Sequence, residues 1–284
     1  MKIKYFSELL ITTMIWGLTF PLQKVSVDFI SPSLLIMIRF MIGSFAIFLI
    51  FPKRILSAKK DLILAGIFIG IFLFFGYYFQ VVGVIYTSAI NSSLITGLYV
   101  IISPLLAYVI LRERLDLRVG IALILAFGGL VLITGFYQHM QLNFGDFLTV
   151  ISAISYSFQV VFVDKYSKKF DPIALTFYQV LFVVPLSVLF IPALPVYASF
   201  NAWVYFSIFY LSLFATTGAI LLQNLGQRGV DSATASMIFA LEPVFGVFFS
   251  MLVLGESMGF NQVIGSILII IAMFTVASRR NHME

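Results

Sequence analysis

The stretch LEPVF at 241–245 sets a carboxylate, Glu242, among apolar residues and directly ahead of Pro243. A carboxylate in mid-span costs roughly 2.5–3.5 kcal/mol on insertion scales, and such residues usually face a bundle interior or a wet cavity. Proline withholds a backbone N–H and so frees a carbonyl one turn earlier. A carboxylate beside an open carbonyl can hold an amine or a proton. It can equally satisfy a neighbouring helix, and the residue types alone leave both roles open.

Glu242 has a counterpart. A shift of 143 residues carries Gln80 onto Gln223, Gly83 onto Gly226, Ser93 onto Ser236, Leu98 onto Leu241, Leu111 onto Leu254 and Glu113 onto Glu256, and it carries Tyr99 onto Glu242. Upstream, a shift of 140 carries Trp16 onto Tyr156, Pro32 onto Pro172, Leu35 onto Leu175 and Arg39 onto Gln179; downstream, two extra residues bring Gly120 onto Gly265. At helical spacing, Ser92, Thr96, Tyr99 and Ser103 share one face, matched in the second copy by Ala235, Phe239, Glu242 and Gly246. The candidate substrate-binding residues follow from this pairing: Trp16, Tyr78, Gln80, Asn91, Thr96, Tyr99, Tyr156, Gln223, Asn224 and Glu242. Trp16 and Tyr156 could stack on a flat substrate, and plain packing is the competing role. Asn91 could equally be a helix cap. Tyr77 and Tyr178 are weaker aromatic candidates. Glu242 is also the candidate for proton coupling. Arg39, the basic residue within a span, is expected to snorkel to the nearby interface. Glu113 and Glu256 read as loop or cap devices.

The elements that must position these residues are apolar. The chain has 284 residues, 61% hydrophobic and only 10% charged, against about 25% charged in soluble proteins. With a mean hydropathy of +1.09 and apolar runs of about 20 residues, it reads as an integral membrane protein of helices. Ten segments are expected, near 7–25, 33–52, 61–82, 88–111, 117–136, 144–164, 172–191, 202–226, 232–254 and 260–278. With the amino terminus in the cytoplasm, 15 of the 17 Lys and Arg residues fall on inner segments. That asymmetry predicts a multi-pass protein of the plasma membrane with both termini cytoplasmic. The first apolar run reads as a span, since no signal-peptide cleavage site follows it.

An odd number of spans repeated in tandem must enter the bilayer in opposite senses. The expected fold is therefore all-α, ten transmembrane helices as two inverted five-helix repeats, residues 1–137 and 138–284, around a central cavity. Secondary transporters are built this way, with a site between the halves near the midplane. The pockets, hinges and partners follow: Gly76, Gly83, Gly218 and Gly226 as candidate hinges, a small-molecule substrate, the lipid bilayer, no nucleic acid, and a monomer or homodimer. The alternative is a channel or structural membrane protein. The chain has no cysteine and two histidines, His139 and His282, outside the spans. With no HExxH pattern and no pair of intramembrane aspartates, neither catalysis, a metal site nor a cofactor is expected.

Several stretches together resemble one family: TMIWGLTFP in the first span, LLIMIRF in the second, YTSAINSSL and LRERLD bounding the fourth, LEPVF and LGES in the ninth, and VIGSILIIIA in the last. They are similar to the EamA family of the drug/metabolite transporter superfamily over essentially the whole chain. The resemblance implies two inverted five-helix halves around a cavity, and export or exchange of small metabolites, amino acids among them, without ATP. It also implies cavity aromatics on the first and fourth helices, where Trp16 and Tyr99 stand. Ile101 departs from the second ring expected there, so the resemblance does not carry an aromatic substrate with it. Glu242 matches a common family element.

Overall fold

In a computed structural model, residues 3–112, 117–134, 143–230, 235 and 238–277 are described. The expectations for Glu113, His139, His282 and the junction at 137–138 lie outside them. The described chain is helical: α1 Ile3–Gly17, α2 Thr19–Ser26, α3 Pro32–Ile50, α4 Pro52–Leu56, α5 Lys60–Tyr86, α6 Ala89–Thr96, α7 Tyr99–Leu111, α8 Leu117–Thr134, α9 Phe144–Ser167, α10 Pro172–Leu189, α11 Ala202–Phe209, a π-helical segment Tyr210–Gly218, α12 Ala219–Arg228, α13 Glu242–Leu254 and α14 Phe260–Ala277. Six of these stretches are long and apolar enough to cross a membrane: Pro32–Ile50, Lys60–Tyr86, Ala89–Leu111, Phe144–Ser167, Pro172–Leu189 and Ala202–Arg228. Shorter apolar helices occupy Glu242–Leu254 and Phe260–Ala272. The expected first segment is split between α1 and α2, the fourth between α6 and α7, and of the ninth only α13 is a described helix of any length.

Helix ends follow from local chemistry. Pro32, Pro52 and Pro172 each open a helix, where a missing N–H costs nothing. The side chains of Ser88, Asn143, Asp171 and Asn201 accept from backbone N–H groups of the first turn, as N-caps do. At the other end, Arg112 closes α7 with φ 56° and Gly255 closes α13 with φ 65°. These two left-handed caps are 143 positions apart, and α7 and α13 begin and end on positions related by the same shift.

The burial pattern is that of a protein solvated by lipid. Large apolar side chains such as Phe45, Leu49, Val109, Ile124, Phe127 and Leu252 are exposed, while Gln23, Ser92, Gln159, Gln179, Gln223, Asn224 and Gln227 are buried. In water this would be an extensive exposed apolar surface. The chain is an all-α, multi-pass membrane protein.

Packing pairs α5 with α9 and α10, α3 with α10 and the π segment, α1 with α12 and α13, α6 and α7 with α9, and α8 with α14. Where α5 meets α9 the backbones nearly touch. A Cβ added at Gly145 would lie 2.5 Å from the Gly83 carbonyl oxygen, and one at Gly83 would lie 2.9 Å from that of Gly145. Gly76 and Gly226 are likewise crowded, by the ring of Tyr156 and by Leu9. These three expected hinges are close-approach points, while Gly218 has only the Leu213 carbonyl nearby.

Contacts between loops gather on two faces. On one, Ile30 forms an antiparallel bridge with Ala198, Ser31 N–H donates to Tyr197 O at 2.9 Å and Ser199 N–H to Phe29 O at 2.7 Å. On the same face Lys24 donates to the carbonyls of Val84 and Thr87 at 2.7 and 2.8 Å, neutralising the end of α5 as a cation there should. Thr87 donates to Asp146 at 2.6 Å. Glu256 accepts from the N–H groups of Ala89 and Ile90, both at 2.9 Å; it caps α6 from the far end of the chain. On the other face Arg54 pairs with Asp171 at 3.2 Å, and Tyr178 donates to Ile55 O at 3.2 Å. Removing the Glu256 carboxylate strands two N–H groups of buried residues. Glu256→Ala is expected to cost about 1–2 kcal/mol, read as a lowered melting temperature in detergent, with Glu256→Gln intermediate.

Candidate functional site

Three helix breaks meet at the centre of the chain. The first separates α1 from α2 at Leu18. Pro21, four residues on from Gly17, cannot donate to its carbonyl, so the break falls where proline predicts it. The second lies at Gly97–Leu98, where Leu98 N–H donates to Ile95 O at 3.0 Å. The third lies at 240–241, where Leu241 N–H donates to Ile238 O at 3.1 Å. The second and third use the same tightened, three-residue bond at positions related by the 143-residue shift. Each releases a half-helix whose first residue, Tyr99 or Glu242, faces the middle.

Those two residues touch. The Tyr99 hydroxyl donates to Glu242 Oε2 at 2.7 Å, and both side chains are buried. Around them is a cavity lined by Trp16, Thr19, Leu73, Tyr77, Gln80, Tyr99, Tyr156, Gln159, Val160, Gln223 and Glu242. It measures about 30 Å³ to water centres, room for a few water molecules at most, so a substrate would have to enlarge it. Glu242 sits in the first turn of α13, where the helix dipole favours a negative charge.

The walls are aromatic and amide. Tyr156 lies 5.4 Å from Tyr77 and 6.4 Å from Tyr99, ring centre to ring centre. Phe239 lies 5.8 Å from Trp16 and 6.1 Å from Tyr99. Gln159 and Gln223 exchange two amide hydrogen bonds, at 3.1 and 3.0 Å. Gln80 donates to Thr96 at 3.2 Å and accepts from Tyr156 at 3.4 Å. The indole N–H of Trp16 donates to Ala215 O at 3.1 Å, in the π segment.

Six of the ten sequence candidates line the cavity: Trp16, Gln80, Tyr99, Tyr156, Gln223 and Glu242. Thr96 stands one layer behind, bonded to Gln80. Asn224 is turned onto its own helix, donating to Ile220 O. Asn91 lies at the α6 end, where its side-chain oxygen accepts from Gln262 at 3.3 Å and its N–H bonds to the Ser88 cap. Tyr78 is packed among Phe74, Phe79 and Phe190; one position from Tyr77, it is turned about 100° around the helix. Tyr178 bonds Ile55 O. Thr19, Leu73, Gln159 and Val160 were missed. Gln159 was within reach of the sequence, being three positions after Tyr156 and therefore on its face.

Arg39 does not snorkel. It is 1% exposed, with Nε donating to Thr216 Oγ1 at 2.6 Å and one terminal nitrogen donating to the Tyr77 hydroxyl at 3.1 Å. A hydroxyl and a phenol within the bundle hold it more closely than the interface could. Among the described residues no group of three or more His, Cys, Asp or Glu could hold a metal ion.

The chain matches the EamA-like transporter family over residues 6–135 and again over 143–278. An uncharacterised transporter of Archaeoglobus fulgidus is 33% identical over 271 residues, spanning 95% of this chain and 85% of that protein. The uncharacterised transporter YyaM of Bacillus subtilis is 28% identical over 276 residues, spanning 92% of this chain and 89% of its own length. A solved crystal structure superposes with a TM-score of 0.70 at 18% identity, covering 95% of this chain and 96% of that one, a likeness of fold alone. Broken helices meeting at a buried polar cavity, in a bundle sheathed by apolar side chains, therefore occur in a chain that belongs to the EamA-like transporter family of the drug/metabolite transporter superfamily.

Proposed function

We propose that this protein is a secondary-active transporter, an exporter or exchanger of small metabolites such as amino acids, working by alternating access without ATP and performing no enzymatic reaction. The observation that carries the reading is the Tyr99–Glu242 hydrogen bond. Its two ends are equivalent positions of the repeat. Equivalent residues can touch only where the axis relating the halves passes between them, so that axis runs through the cavity wall. Other observations support the same arrangement. Exchange α1 with α9, α3 with α10, α5 with the α11–α12 stretch, and α7 with α13. The α5–α9 packing then maps onto α12–α1, α5–α10 onto the π segment–α3, and α9–α7 onto α1–α13; each of these pairs is in contact.

On this reading, residues 1–137 and 138–284 are inverted five-helix halves, each with five spans. The loop contacts are consistent with ten spans, because each tie joins segments that ten alternating crossings put on one side. The Ile30–Ala198 bridge, the Lys24 ties and the Glu256 cap fall outside, and Arg54–Asp171 falls inside. Both termini then lie in the cytoplasm and the protein resides in the plasma membrane, as monomer or homodimer. Trp16, Gln80, Tyr99, Tyr156, Gln223 and Glu242 bind substrate directly. Tyr78, Asn91, Thr96 and Asn224 act from behind the lining or from the route toward it. Glu242 is the group through which protons would couple.

The test is counterflow in proteoliposomes loaded with candidate amino acids, nucleobases and vitamins. A carrier gives saturable uptake of labelled substrate that is stimulated by unlabelled substrate on the far side. Flux without saturation or trans-stimulation assigns a channel, and no flux across the panel assigns a structural role.

A further inference from the structure

One turn outward of the cavity, two buried polar side chains lack protein partners. Gln23 on α2 is 0% exposed, and neither its amide nitrogen nor its amide oxygen has a hydrogen-bond partner among the described residues. Ser92 on α6 is equally buried, and its hydroxyl is also unpartnered among them. Burying an amide or a hydroxyl without a hydrogen bond is costly, so each such group in a folded protein needs a reason. Packing does not supply one. The counterparts of Gln23 and Ser92 under the 140- and 143-residue shifts are Val163 and Ala235, both buried and apolar.

Both side chains continue polar rows that begin at the cavity. Gln23 follows Thr19, a lining residue, by one helical turn. Ser92 precedes by one turn Thr96, which bonds the lining residue Gln80 at 3.2 Å. Residues four apart lie one above another on a helix. The two rows adjoin, because α2, α5 and α6 are in mutual contact. Farther out come the ties already described. Lys24 joins α2 to the end of α5, Thr87 joins α5 to Asp146 of α9, and Glu256 holds the first turn of α6. Polar groups that lead away from a cavity wall and stop beneath a layer of fastenings are what a closed passage leaves behind. They are placed to pair with what passes, and not with one another.

We propose that Gln23 and Ser92 line the outer leg of the translocation route, the stretch between the cavity and the outer face, and that this leg is shut in the present structure. When the outer fastenings part, water and the polar groups of the solute pair with the Gln23 amide and the Ser92 hydroxyl. An amide kept only to brace the fold would be held by protein groups. This assignment rests on the transport reading above and adds to it a path, the residues along it and the side that is closed.

The chain contains no cysteine, so a single introduced thiol reports its own accessibility without background. Gln23→Cys and Ser92→Cys are treated in intact cells with a membrane-impermeant cationic thiosulfonate, beside Val163→Cys as the control from the inner half. Labelling at 23 and 92 is expected to be at least tenfold faster than at 163. Ser92→Cys exchanges only oxygen for sulfur, and it keeps the test decisive if Gln23→Cys does not fold. Gln23→Leu replaces the amide with an apolar group of similar size. It is expected to keep or raise the melting temperature in detergent, since an unpaired buried amide is removed. It is also expected to slow counterflow of the carried solute at least threefold. A bracing amide would show the reverse, a lowered melting temperature with transport per folded molecule unchanged. Labelling at 92 no faster than at 163, or counterflow by Gln23→Leu within threefold of the parent, overturns the proposal. Counterflow by the parent would then leave the transport reading standing. Absence of counterflow by the parent overturns both.

Discussion

Glu242→Gln gives a folded protein that transports more slowly than the parent, by about tenfold or more. Glutamine has the shape of glutamate and can still accept from the Tyr99 hydroxyl, so the 2.7 Å contact survives as a neutral hydrogen bond. What disappears is the charge. Hydrogen bonds to charged groups contribute about 1.5–3 kcal/mol against about 1 kcal/mol for neutral ones, and a substrate cation at this wall loses its counter-ion altogether. Melting in detergent should shift by only a few degrees, which separates lost function from lost fold. If transport is coupled to protons, the variant also loses the pH dependence of uptake. Full, pH-dependent transport by Glu242→Gln would remove this carboxylate from the mechanism.

Gly145→Leu, by contrast, yields no stable protein. The α5–α9 crossing brings backbone to backbone, and even a methyl group at 145 would stand 2.5 Å from the Gly83 oxygen and 2.8 Å from the Thr87 nitrogen. Neither is the tip of a flexible side chain that could swing away. Overpacking a core costs typically about 1–3 kcal/mol, and a clash against main chain belongs at or above the top of that range. The matched control is Gly120→Leu. Nothing lies within 4 Å of a Cβ placed there, so that variant should purify like the parent. Size-exclusion profiles of the two, expressed side by side, check the pair.

How much of this was legible in the sequence depends on the kind of signal. The repeat was strongest around Leu98 and Leu241, and the helix breaks and the Tyr99–Glu242 contact sit there. Pro243 marked one interruption, while the first and fourth segments were expected unbroken and the breaks at Leu18 and Gly97–Leu98 came only with the structure. Which face of a long apolar helix turns inward leaves almost no mark. Lys60–Tyr86 is hydrophobic on all sides, without the one-sided stripe that orients a surface helix. Tyr78 and Tyr77 were therefore near equivalents on paper, and packing chose Tyr77. Arg39 was misjudged for an energetic reason. Its depth suggested escape to the interface, but the π segment brings Thr216 to Nε and α5 brings Tyr77 to the guanidinium. Neither partner is near it in sequence. Gln159 was recoverable from its place three positions after Tyr156; Thr19, its counterpart under the 140-residue shift, lines the cavity with it.

Two of the fastenings between the chain's early and late parts, on the face with Ile30 and Glu256, differ in kind. One is main chain on main chain, Phe29–Ser31 against Tyr197–Ser199. The Tyr197 hydroxyl reinforces it, donating to Val27 O at 2.6 Å, so a side-chain substitution there weakens it but leaves the main-chain bonds in place. The other hangs on a single carboxylate clasping two amides, and one mutation removes it. Substitution of one side chain therefore abolishes the second fastening and only weakens the first.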